Sequence, residues 1–340
     1  MLAVTVALVG CGNRGVRQLG GLVRGMDKFQ LVAVSDVDTA RMEEASRILE
    51  CDAEPDQAKL FARKDLDAVI VATGVRWHVP IALDAVAAGK HVFIEKPLSD
   101  TAAAARKLAD AAEAAGVVGM VGYQHRFNPA WRKLAEILPS IDPVQAVWTL
   151  QRPPLNVQFF IPDPFGGIVD TATHTLDLAL WMMGGTPDGV VAHVRRGTIL
   201  GDRTIEYLSL IADFDGGARS TTLVSSMLGV ALPNFCEIAG SKGTVWSNDA
   251  RNLHVARHNG VKAAGARNPD GLTQEVVECP ASGDTTPIML EHFADLVSGA
   301  ADRAHPMGCT LRQGAAAAGV QMAMAVAAEE HRRVTLAELG

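Results

Sequence analysis

The chain has no run of about 18 uninterrupted apolar residues, so it offers no membrane span. It has no basic block: 31 Lys and Arg stand against 38 Asp and Glu, a net charge of −7. That balance argues against nucleic acid or an anionic membrane as a partner. It has no C-x-x-C pair. The five cysteines, Cys11, Cys51, Cys236, Cys279 and Cys309, are odd in number and unclustered. They point to reduced thiols in the cytoplasm, with neither a disulfide framework nor a thiolate metal site. Internal repeats and low-complexity linkers are missing too. A secretion signal is at most hinted at by Met1–Cys11, because the apolar run is short and no Lys or Arg precedes it. What remains is an ordinary globular chain of 340 residues, 48% hydrophobic, long enough for two domains with ample cores.

The stretch Val6-Ala-Leu-Val-Gly10-Cys-Gly12-Asn-Arg-Gly15 reads as a buried strand, a glycine turn and a helix start. The glycines form G-x-G-x-x-G. Gly10 allows the tight turn, Gly12 lets backbone approach a pyrophosphate, and Gly15 lets the helix lie close to the strand. Free N–H groups at the helix start suit phosphate. Phe29–Ser35 reads as the next strand, and Asp36 ends it about 20 residues past the glycines, where a carboxylate accepts ribose hydroxyls. The pattern predicts a dinucleotide site. Asp36 is followed by Val37 and Asp38, with no immediate cation, and a carboxylate repels a 2′-phosphate. NAD is therefore expected over NADP.

Further along, Asp38 or Thr39 is placed to cap a helix. Asp67–Thr73 and His91–Glu95 read as strands, Val79–Ala88 and Ala102–Ala115 as helices, and Val117–Gly122 as a last strand. This alternation predicts an α/β fold: a Rossmann doubly wound parallel sheet over 1–122. After it come a helix at Pro129–Leu138, a strand at Val144–Gln151 and a Pro/Phe-rich loop, 152–167. A helix at Ile168–Met183 follows. Alternating runs at 190–199, 205–214, 218–227, 235–239, 243–247 and 275–277 predict an α+β domain over 123–340 with an open, mostly antiparallel sheet. Two helices, Ile288–Ser298 and Leu311–Glu330, close the chain; the last is Ala-rich and suits close packing on another layer.

A parallel sheet binds its ligand at the carboxyl ends of its strands. Asp36, Thr73 to His78, Glu95-Lys96-Pro97 and Tyr123 to Arg126 all follow strand ends. Lys96 is the sharpest of these: an ammonium there can hydrogen-bond a substrate hydroxyl and stabilise charge on its oxygen. A solvated loop lysine fits its spacing equally. The turn after it predicts a cis Lys96–Pro97 bond. Asp170, His174 and Asp177 recur at i, i+4 and i+7 and share one helix face. No further cluster completes a metal site, so none is expected. His174 suits acid–base work, since an imidazole titrates near neutrality, with Asp170 orienting it or binding substrate. A capped, hydrogen-bonded helix start explains the same three residues. His78 reads either as a contact on the nicotinamide side or as a helix-start residue. Tyr123, Gln124, His125 and Arg126 fit the cleft wall, though Arg126 also fits a pairing with an acid. Trp148, Arg152, Phe159 and Phe160 fit a pocket wall, a lid or a core. Cys11 reads as a small buried filler, and His254 and His258 carry no visible partner.

The chain resembles the glucose–fructose oxidoreductase / inositol dehydrogenase / MocA (Gfo/Idh/MocA) family over nearly its whole length. The resemblance rests on Gly10-Cys-Gly-Asn-Arg-Gly15, Asp36, Val69-Ile-Val-Ala-Thr73 with His78, and Gly89-Lys-His-Val-Phe-Ile-Glu95-Lys96-Pro97. It also rests on Arg126-Phe127 and on Gly166-Gly-Ile-Val-Asp170 with His174 and Asp177. It implies cofactor contacts from Gly10, Gly12, Asn13, Arg14, Gly15 and Asp36, and from Thr73, His78, Glu95, Lys96 and Gln124. Substrate contacts are implied for Lys96, Tyr123, Arg152, Asp170 and His174, with Lys96, His174 and Asp170 catalytic and His174 the proton acceptor. A homodimer or homotetramer through the exposed sheet face is implied as well. The chain departs from the family at Thr73-Gly74-Val75, where Thr-Pro-Asn is common, and at Gln124, where Asn is common. The function expected is NAD-dependent oxidation of a sugar, cyclitol or related polyhydroxy compound. Two alternatives remain open here: an NAD-retaining glycosidase or lyase using transient oxidation, and a non-enzymatic NAD-sensing regulator.

Overall fold

The computed structural model describes residues 3–151, 166–197, 205–226, 235–258, 272–303 and 307–339. The N-terminal part runs β1 (Val4–Val9), a π-type turn Arg14–Gly20, α1 (Gly21–Arg24), β2 (Phe29–Ser35), α2 (Thr39–Leu49), β3 (Asp52–Ala53) and α3 (Gln57–Phe61). It continues with β4 (Ala68–Val71), α4 (Val75–Ala87), β5 (His91–Ile94), α5 (Ala102–Ala115) and β6 (Gly119–Val121). Then come α6 (Pro129–Ile141), β7 (Pro143–Gln151), α7 (Gly166–Met183), β8 (Gly189–Arg196), β9 (Ile205–Phe214) and β10 (Arg219–Ser226). The strands β11 (Phe235–Gly240), β12 (Gly243–Ser247), β13 (Asn252–His258) and β14 (Leu272–Glu278) follow. The chain closes with α8 (Thr286–Ser298), β15 (Cys309–Thr310), α9 (Leu311–Glu330) and β16 (Val334–Thr335).

Two compact units result: 1–127 with 284–318, and 128–283 with 319–340. The first holds a sheet of order β15-β6-β5-β4-β1-β2-β3, parallel except for β15. Its central strands are apolar on both faces because helices cover both. Alternate residues serve opposite cores: Ala7, Val69 and Val92 face one side, and Val6, Leu8, Ala68, Ile70 and Phe93 the other. The strand order reverses between β1 and β4, and a doubly wound sheet opens its ligand crevice there.

The sequence predicts a continuous second domain from residue 123, yet α8 belongs to the first unit. Met289, Leu290 and Phe293 are fully buried with the β1–β4–β5 core, and Phe293 meets Phe93 edge-on with centroids 5.7 Å apart. Burying one such phenylalanine contributes about 2–3 kcal/mol, enough to decide which sheet the helix covers. The start of α9 lies against the same unit. A side chain at Gly314 would crowd Val121 and Leu98, so glycine permits the close approach expected of this Ala-rich helix.

The second unit holds a sheet of order β14-β13-β12-β11-β7-β10-β9-β8-β16, in which only β7 and β10 run parallel. Helix α7 covers β7, β9 and β10, and α6 covers β12 and β13. Trp148 is wholly buried, packed edge-on against Trp131 at 5.5 Å, so it is core and not pocket wall. The opposite face carries one cross-strand row: Val276, His254, Trp246, Glu237, Val147, Thr222, Ile211 and Val191. His254, without a visible partner in sequence, stacks on Trp246 there.

Among the described residues, no helix is long and apolar enough to cross a membrane.

Candidate active site

The glycine turn is built as its spacing predicts. Gly10 has φ +103°, and a Cβ on it would lie 2.5 Å from the Ala72 carbonyl oxygen. A Cβ on Gly15 would collide with the Gly10 carbonyl. Gly12 differs: a Cβ there would meet nothing within 4 Å, which is the open approach that a pyrophosphate needs. Asp36 lies beside this turn. Its Oδ2 accepts from the Cys11 amide at 2.6 Å and its Oδ1 from the Asp38 amide at 2.9 Å. Each carboxylate oxygen has a second lone pair left for a ribose hydroxyl. These features fit a dinucleotide. Asp38 caps α2 by accepting from the Arg41 amide, and Arg41 pairs with Asp38 at 3.1 Å.

Cys11 is 5% exposed. Burial, and then the charge of Asp36, push its thiol up to about 12. The thiol form persists at neutral pH, so Cys11 is the inert filler expected.

The carboxyl ends of β5 and β6 join the same site. Arg14 reaches from the glycine turn to Glu95, Nε to Oε1 at 2.9 Å. Glu95 is 5% exposed, and its Oε2 accepts from the Lys96 amide at 3.2 Å. Arg14 Nη2 also donates to Gln124 Oε1 at 3.2 Å, and its Nη1 donates to Gln18. The Lys96–Pro97 bond is cis, as predicted. Asn13 immediately precedes the π-type turn, and Thr73 is half-buried after β4.

Sequence reasoning missed the start of α8. Thr286 Oγ1 lies 2.8 Å from Gln124 Oε1, and Thr285 Oγ1 donates to the Gln124 carbonyl at 2.8 Å. Asp284 accepts from the Thr286 amide at 2.9 Å. The Thr286 hydroxyl is the largest of the effects that lower the Asp284 pKa. The one sequence signal is Asp284-Thr-Thr-Pro287, a capping residue before a first-turn proline.

His78 takes the helix-start place that the sequence also offers, and Tyr123 is buried in the core instead of lining the cleft. Helix α4 begins at Val75, not Val79, with Gly74 as its cap. His78 therefore sits in the first turn, 2% exposed, with both ring nitrogens on protein carbonyls. It has no donor to offer a cofactor. Tyr123 is 1% exposed and belongs to the hydrophobic core of the first unit, because it follows β6 on the helix-covered side. Arg126 is also buried and donates to Gln313 at 2.7 Å.

In the second unit, α7 carries positions 170, 174 and 177. His174 is half-buried and Asp177 is 2% exposed. Thr173, fully buried, accepts from Gln321 Nε2 at 2.8 Å. The side chain of Asp170 lies outside the described residues, as do Arg152, Phe159 and Phe160. Among the described residues, no group of three His, Cys, Asp or Glu could hold a metal ion.

Residues 4–123 match the oxidoreductase family with an NAD-binding Rossmann fold, and residues 142–246 match the GFO/IDH/MocA C-terminal domain. The inositol 2-dehydrogenase of Acidothermus cellulolyticus is 31% identical over 252 residues, 72% of each chain. The chain belongs to the Gfo/Idh/MocA family. It is an oxidoreductase with an NAD-binding Rossmann domain. The scyllo-inositol 2-dehydrogenase (NAD(+)) of Bacillus subtilis is 24% identical over 74% of this chain and 76% of that one. An oxidoreductase from Agrobacterium radiobacter, solved with NAD+, L-tartaric acid and magnesium, shares the fold. Its TM-score is 0.79 over 99% of both chains, at 20% identity.

Proposed function

We propose that this Gfo/Idh/MocA protein is an NAD-dependent dehydrogenase that oxidises a hydroxyl of a cyclitol or related polyhydroxy compound. The observation that carries this reading is the link from the glycine turn to the lysine: Arg14 binds Glu95, and Glu95 accepts the Lys96 amide. That link holds the backbone of an amine at the rim of the cofactor crevice. The names of the inositol dehydrogenases that it resembles support the substrate class. The negative charge of Asp36 beside the glycine turn favours NAD, because a 2′-phosphate would be repelled.

Bound NAD supplies the hydride acceptor. The Lys96 ammonium donates to the substrate hydroxyl oxygen and stabilises the charge that develops there. His174 accepts the hydroxyl proton. Asp170 orients that imidazole or the substrate.

The test is incubation with NAD and a panel containing myo-inositol, scyllo-inositol and simple sugars, following nicotinamide absorbance. At least one cyclitol or sugar should be oxidised. Lys96→Ala and His174→Ala should each lower kcat by about 10²–10⁴-fold. No absorbance change with any member of the panel overturns the reading.

A further inference from the structure

His78 is a buried imidazole with two acceptors. Its Nδ1 lies 2.9 Å from the Pro97 carbonyl oxygen and its Nε2 lies 3.0 Å from the Thr73 carbonyl oxygen. Those two carbonyls belong to different loops. Thr73 follows β4, Pro97 follows β5, and the two strands are neighbours in the sheet. Pro97 is the residue after Lys96. On the other side of Lys96, Glu95 accepts the lysine's own amide. The backbone of Lys96 is thus gripped before and after the residue, once by Glu95 and once through His78.

A carbonyl oxygen can only accept. A neutral imidazole has one N–H, so only one of the two contacts is a hydrogen bond unless the ring carries both protons. Burial lowers the pKa of His78; the Pro97 and Thr73 carbonyls, and after them the charges of Glu95 and Asp100, oppose that without reversing it. A single proton then has to be shared out between the Pro97 and Thr73 carbonyls. We infer that His78 is a positioning residue for Lys96: its Nδ1–H holds the Pro97 carbonyl and braces the lysine loop against the turn after β4. The inference rests on the proposed role of Lys96. An amine displaced by about 1 Å from its working geometry can cost about 10²-fold in rate, so such a brace has a function beyond stability.

Two substitutions separate the two contacts. In His78→Asn the amide nitrogen falls near the position of Nδ1 and keeps the Pro97 bond. In His78→Gln it falls near Nε2 and keeps only the Thr73 bond. Accessibility of Lys96 is read on the free full-length protein by trace acetylation and peptide mass spectrometry, with exposed Lys59 and Lys64 as internal references. In His78→Gln, Lys96 labelling should rise by about tenfold, the order of one lost buried hydrogen bond. In His78→Asn it should stay within about twofold of wild type. With an oxidisable substrate, kcat should fall in His78→Gln with little change in KM for NAD, and recover in His78→Asn. Equal Lys96 labelling in all three proteins, or an equal rise in both variants, overturns the inference. If neither variant folds, the imidazole nitrogen shifts of the wild-type protein decide: Nδ1 should be protonated, and a proton confined to Nε2 overturns it. A wild-type protein that oxidises nothing in the panel refutes the proposed function but leaves the labelling comparison decisive.

Discussion

Glu95 bridges two segments of different origin: Arg14 of the glycine turn donates to its Oε1 at 2.9 Å, and Lys96 gives its Oε2 a backbone amide at 3.2 Å. The carboxylate is almost wholly buried, so the pair is shielded from solvent on the Glu95 side while Arg14 stays a third exposed. Glu95→Ala leaves the Arg14 charge and the Lys96 amide without this acceptor. The expected cost is about 1–3 kcal/mol of stability, seen as a lower midpoint in thermal unfolding. Because the Lys96 backbone loses one of its two grips, kcat should fall by a larger factor than KM rises.

Asp36 has two tasks that one substitution can divide. Its oxygens hold the Cys11 and Asp38 amides, and in the proposed cofactor complex its charge faces the adenosine ribose. Asp36→Asn keeps the shape and one acceptor oxygen and removes the charge. NAD binding should weaken by about tenfold, the difference between a charged and a neutral acceptor. NADP binding should weaken less or improve. Parallel titrations of the two reduced cofactors by nicotinamide fluorescence check the ratio.

Much of this architecture is legible in the residues. Strands such as Val4–Val9 and Ile205–Phe214 are β-branched or alternating runs, and their periodicity is local information. The glycine turn, Asp36 and the cis Lys96–Pro97 bond follow from backbone demands that only certain residues meet. The start of α4 is not legible in the same way. Gly74 caps it without a side chain, and Pro80, which usually marks a first turn, misleads by sitting deeper in the helix. The inward turn of His78 and Tyr123 depends on which layer covers them, and so does the choice of sheet by α8. An amphipathic helix advertises an apolar face without naming what it will cover. Asn252–His258 escaped notice because Asn, His and Arg dilute its alternation.

Among the described residues, the sheet face away from α6 and α7 carries Val191 at 46%, Ile211 at 47% and Val276 at 56% exposure. They lie in one cross-strand row with Trp246. We expect this face to associate with a second copy of the chain, because exposed apolar patches mark interaction sites. Light scattering after size exclusion should report a dimer or tetramer. Placing lysines at Val191 and Ile211 together should shift the mass toward the monomer, since two buried charges per copy would have to be desolvated. An unchanged mass would locate the contact elsewhere.

Cys236 gives the protein a stability limit in base. It is wholly buried in β11, and burial pushes its thiol from 9.0 up to about 12. The folded state therefore keeps the proton where the unfolded chain has lost it. With the folded pKa raised, stability is complete below the unfolded value of 9.0 and declines as pH rises toward the folded value of about 12. The slope follows from proton linkage, and at pH 10 the loss from this one group is about 1.4 kcal/mol. Cys236→Ala costs packing at every pH but removes this dependence. Denaturant unfolding at pH 8 and pH 10 should show a smaller difference for the variant than for wild type, by about 1.4 kcal/mol. Equal differences in the two proteins would mean that the thiol ionises as readily in the folded chain as in the unfolded one.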